Sequence, residues 1–118
     1  MEIAHFIVKG SNCFLSIVAR LDSELQQCHK SEIINGYIFY IENFSLANSS
    51  DLMTAVRIQK RNNSDAECEI EVVAGGGGNG LLSLTWGNEK RRLNKVIDII
   101  EVFCNFKKFE LSEIVIKG

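Results

Sequence analysis

The most chemically specific stretch of this sequence is AGGGGNG, from Ala74 to Gly80. Gly75, Gly77 and Gly80 satisfy the spacing GxGxxG, in which glycines let backbone amides close on a pyrophosphate at a helix N-terminus. That chemistry needs a buried strand before the run and a helix directly after it. Here Glu67, Glu69 and Glu71 alternate with Cys68, Ile70 and Val72, the pattern of a half-exposed strand, and Leu82, Leu84 and Trp86 continue at strand period. A dinucleotide site is therefore not expected. Gly75, Gly76, Gly77, Gly78 and Gly80 are expected instead to form the loop of a hairpin, bare enough for a ligand or a partner's backbone to approach.

The second group is basic. Lys90, Arg91, Arg92 and Lys95 crowd the predicted start of a long helix, where the macrodipole favours negative charge. Cations and free helix amides together would suit a phosphate or an acidic partner surface. The plainer alternative is a solvated helix end with Glu89 as its local counter-charge.

Other reactive types are scattered. Cys13, Cys28, Cys68 and Cys104 show no metal-ligand spacing, and no metal or cofactor is expected. Cys28 and His29 are neighbours, but successive helical side chains diverge by about 100°, so they do not form a nucleophile–base pair. An enzyme would need the fold to carry His5 or His29 to a cysteine or carboxylate in a cleft. Glu67, Glu69 and Glu71 are expected to be a solvated ladder rather than a cation site. Tyr37, Phe39, Tyr40 and Phe44 lack interleaved basic residues, so base stacking, and nucleic acid with it, is not expected.

These groups must be carried by a chain of 118 residues with 46% hydrophobic and 24% charged residues and a formal net charge of −2. That composition suits one globular domain over 1–118, and the charge gives no pull toward nucleic acid or acidic membranes. The first residues, MEIAHFIVKG, lack the charged and apolar regions of a signal peptide, and no apolar run is long enough to span a bilayer. A cytoplasmic protein with reduced thiols is the expectation.

Periodicity predicts the elements. Residues 3–8 form a short strand, and Phe14, Val18, Leu21, Leu25 and Cys28 mark one stripe of a helix over 12–29, capped by Ser11 or Asn12. Asn35-Gly36 signals a tight turn, with Glu32–Ile34 pairing briefly against a strand over 37–44 or the turn merely launching that strand. Further strands are predicted over 52–60, 67–72 and 81–86, with an exposed loop at 61–66. Leu93, Val96, Ile97, Ile100, Phe103 and Cys104 mark a long helix over about 89–106, and Ile99 and Val102 widen its apolar surface beyond one stripe. A last edge strand is predicted over 111–117.

The predicted class is α+β, one antiparallel sheet of five or six strands with two helices on one face, in the order β-α-β-β-β-β-α-(β). Without paired catalytic types, the expected function is a small intracellular binding or interaction module that self-associates, as a homodimer, through a sheet edge or the wide apolar surface of the last helix. The alternative is a helix-grip-like carrier holding a small apolar molecule between sheet and C-terminal helix.

Overall fold

The computed structural model describes the backbone of residues 2–25, 28–45, 50–76 and 82–117, and side chains within 3–25, 28–41, 54–74 and 94–112. Its elements are β1 (Glu2–Lys9), α1 (Cys13–Glu24), β2 (Cys28–Ile33), β3 (Gly36–Ser45), β4 (Ser50–Arg61), β5 (Ser64–Gly76), α2 (Leu82–Lys107) and β6 (Glu110–Lys117). The protein is α+β, with one antiparallel six-stranded sheet in the order β2-β3-β4-β5-β1-β6.

Alternation in the sequence becomes two unlike sheet faces. Ala4, Phe6 and Val8 of β1, Phe39 and Ile41 of β3, Val56 and Ile58 of β4, and Cys68, Ile70 and Val72 of β5 are buried. Phe14, Ile17 and Leu21 of α1 and Val96, Ile97 and Ile100 of α2 join them in one core, so both helices cover the same face. The odd-numbered residues of β1, β4 and β5 lie on the other face and are mostly half-buried.

Backbone geometry explains the turns. Asn62 and Asn63 both take positive φ, 54° each, matching the twist of a two-residue hairpin between β4 and β5. The expected six-residue loop is thus a tight turn, and both strands run longer than alternation alone indicated. Ile34 and Asn35, the latter at φ 60°, make the turn between β2 and β3, so the hairpin forms with its turn one residue earlier than the Asn35-Gly36 signal indicated and with Gly36 already in β3 opposite Ile33. At the end of α2, Lys108 is left-handed, Phe109 N–H donates to Cys104 O (2.9 Å) and Lys108 N–H to Asn105 O (3.2 Å). These paired bonds satisfy the last carbonyls of the helix and swing the chain into β6.

Two element boundaries differ from expectation. Helix α1 stops at Glu24, not at residue 29, with Leu25 already extended at φ −90°, ψ 104°. Leu25 and Cys28 still pack against the core, Cys28 from strand β2 opposite Ile41. Helical spacing therefore persisted across a change of backbone. Residues 82–86 of the strand predicted over 81–86 are instead the first turns of α2, and Leu81 lies outside the described residues. The apolar residues of 82–86 are two leucines and a tryptophan, with Thr85 the one β-branched residue among the five, and Leu is a good helix former. Gly87-Asn88 interrupts nothing, since one glycine inside a helix costs only about 1 kcal/mol against alanine. The element order matches because β2 fills the place that the lost strand vacates.

Asn12 does occupy the N-cap of α1, but through a left-handed backbone (φ 56°) and with no side-chain capping bond.

Candidate functional site

The open sheet face carries a dense polar cluster. Register sets it, because Arg57 of β4, Glu71 of β5 and His5 of β1 fall in one cross-strand row, beside the row of Gln59, Glu69 and Ile7. Arg57 Nη2 lies 3.1 Å from Glu69 Oε1, its Nε lies 3.7 Å from Glu71 Oε1, and its Nη1 donates to Gln59. His5 Nε2 sits 3.4 Å from Glu69 Oε2, shielded from water yet without an aligned hydrogen bond. Partial burial pushes the Glu69 carboxyl up, but Arg57 and His5 outweigh it and hold the group below the usual carboxylate range.

One requirement for catalysis is thus half met, since His5 does reach a carboxylate. The cluster lies on a sheet face, and His, Arg, Glu and Gln include no serine- or cysteine-type nucleophile. The acidic ladder is also not a bare cation site. Glu67 lies 3.5 Å from Arg61 and 3.9 Å from Lys9, so all three carboxylates face cations from neighbouring strands. Among the described residues no group of three or more His, Cys, Asp or Glu side chains could hold a metal.

The network is worth a modest amount of stability. Arg57→Ala should cost about 1 kcal/mol near neutral pH, because solvent screens a half-exposed ionic cluster. The Glu69 share is present above its ordinary value of 4.5 and is lost as pH falls through its lower folded value. Urea unfolding of both proteins across a pH series should show the gap between them closing in acid.

The second feature is a groove of about 440 Å³ between the end of α2 and β6, lined by Glu101, Val102, Cys104, Asn105, Phe109 and Leu111. The turn after Lys107 places Phe109 edge-on to Phe103, ring centroids 6.2 Å apart. Gly10 permits this, since a Cβ there would collide with the Phe109 ring. Beside the groove, Val102 is 64% and Phe106 76% exposed. Sequence periodicity marks Val102 as surplus to the helix stripe. It gives no such signal for Phe106, which lies beyond the last residue of the stripe.

The glycine and basic residues are placed differently from expectation. Gly75 and Gly76 end β5, paired with Met53 and Leu52, so the loop does not begin there. Gly77, Gly78 and Gly80 lie outside the described residues, and the chain from Leu82 onward is helical, which corrects the expected hairpin. That helix removes one ground against a dinucleotide fingerprint. The other stands, because β5 is half exposed and flanked by antiparallel β4 and β1. Lys90, Arg91 and Arg92 sit more than two turns inside α2 rather than at its start. Their amides belong to the helix's own hydrogen bonds, so no pocket of free amides forms around them. Their side chains lie outside the described residues, and Lys95 is exposed.

Three of the four cysteines are buried. The Cys13 thiol donates a hydrogen bond to Cys68 Sγ at 3.8 Å, with no disulfide between them, and Cys104 is near enough to interact electrostatically with both. Among the described residues no helix is long and apolar enough to cross a membrane. No family model matches the sequence, and no curated protein or solved structure does.

Proposed function

We propose that this chain is a small, single-domain, non-catalytic interaction module that works in the cytoplasm and self-associates as a homodimer. The observation that carries this reading is the exposed pair Val102 and Phe106, one turn apart on α2, of which Val102 lines the α2–β6 groove. Two large apolar side chains on one helix face, next to a concave surface, are what an interface core needs.

Sedimentation velocity tests it. The wild-type protein should sediment as a dimer, and Val102→Asp with Phe106→Asp should sediment as a monomer with its thermal midpoint retained, both side chains being exposed already. A wild-type monomer at millimolar concentration would overturn the proposal.

A carrier keeps one supporting observation, the size of the groove, which falls within the range of small-molecule sites. Its ligand would lie at the α2–β6 edge. The described space between sheet and helices is filled by Phe39, Val56, Ile58, Ile70 and Ile100, all at most 1% exposed. Native mass spectrometry showing no co-purified mass would dismiss it.

A further inference from the structure

The sheet has two free edges of different character. Strand β2 is six residues long and carries His29, Lys30 and Glu32, with Lys30 bound to Asp22 of α1 at 3.0 Å. Charges and short length are how proteins guard an edge against further pairing. Strand β6 is eight residues long, ELSEIVIK, with three consecutive β-branched apolar residues at 114–116 and opposite charges at its ends. Its inner side pairs with β1 from Glu110 to Lys117, except that Ile114 has no partner there, at a bulge opposite the His5/Phe6 step.

We propose that β6 pairs with β6 of a second copy of this chain, antiparallel about a two-fold axis between positions 113 and 114. The proposal rests on the self-association reading and specifies its geometry. The strand is charge-complementary to itself in that register. Glu110 falls opposite Lys117 of the other copy at both ends, Leu111 opposite Ile116, and Ser112 opposite Val115. Glu113 falls opposite Ile114, so the residue left unpaired by β1 gains a partner. The two-fold axis stands perpendicular to the sheet, which keeps both pairs of helices on one side of the joined sheets. Leu111, which lines the α2–β6 groove, falls opposite Ile116, so each groove and its exposed Val102 lie beside the C-terminal half of the other copy's β6, at opposite ends of the junction.

The test exploits the end charges. Glu110→Lys alone places two lysine pairs in the homodimer, and Lys117→Glu alone places two glutamate pairs. Each should weaken dimerisation roughly tenfold, two ion pairs becoming two like-charge pairs. Mixed in equal amounts, the two variants complement each other, so native mass spectrometry should show heterodimer above the one-half expected of random exchange. Glu110→Lys combined with Lys117→Glu should restore the wild-type dissociation constant. Circular dichroism melts should confirm that each variant is folded. A wild-type dimer indifferent to both single variants, with random exchange in the mixture, would overturn the β6 register, leave self-association standing, and make the bulge an edge guard. A wild-type monomer would overturn both.

Discussion

Gly36→Val should destabilise the protein by roughly 3 kcal/mol, the upper end of the cost of overpacking a closed site. Gly36 begins β3 and lies opposite Gln59 of β4. A Cβ built there would run into the Ile58 carbonyl oxygen and come within 2.8 Å of Gln59 Cα and 2.9 Å of its Cγ. Side-chain rotation can relieve only the last of these. The other two atoms belong to the β4 backbone, which Ile58 anchors in the core and which Lys60 N–H ties to Asn35 O at 2.8 Å. The substitution must therefore part β3 from β4 at the hairpin end. Asn35 supplies the control. At φ 60° it already occupies the left-handed region, so Asn35→Gly should change stability by a few tenths of a kcal/mol and Asn35→Ala should cost about 1 kcal/mol. Urea titration compares the three. A Gly36→Val protein as stable as wild type would mean that the strands separate there without penalty.

The same dipeptide shows what sequence could and could not reveal. Asn35-Gly36 announced a turn by type, but only the structure shows that Gly36 is needed for close approach to β4 rather than for its own dihedral. Alternation located β3, β4 and β5 because one face of each is buried, and the 3–4 spacing located both helices for the same reason. Where spacing was ambiguous, it misled. Cys28 kept step with the α1 stripe while standing in a strand, and Leu82, Leu84 and Trp86 alternated while standing in a helix. The His5–Glu69–Arg57–Glu71 cluster was not legible, since it depends on the register of three strands that approach from residues 5, 57 and 71. The groove depends on how α2 docks on β6, which the Lys108 turn sets. Its exposed neighbour Val102 was legible as excess apolar surface, and that excess, more than any reactive residue, is where sequence and structure agree.

Raising pH above 9 should unfold the protein progressively, driven by its buried thiols. Cys13 and Cys68 are fully buried and Cys104 is 1% exposed, so a thiolate at any of them would lose its hydration. Burial pushes Cys104 up from 9.0 to about 11, with Cys13 and the Glu101 carboxylate adding to the effect. Cys68 is raised further, again by burial first and then by Cys13, and Cys13 is raised despite the hydrogen bonds that partly offset its burial. The unfolded chain ionises these groups from 9.0 while the folded chain keeps them protonated. Their contribution is thus complete below 9.0 and drains away as pH rises through each folded value. For Cys104 alone, a separation of about two pH units corresponds to about 2.7 kcal/mol, reached near pH 11. Cys68→Ala is the discriminating variant. It should lose about 1 kcal/mol below pH 9 for one buried sulfur, yet fall less steeply above it, by about 1.4 kcal/mol per pH unit. The two stability curves should therefore converge and then cross in alkali. Parallel curves would show that Cys68 ionises as easily folded as unfolded, and that the junction of α1 with β5 admits water.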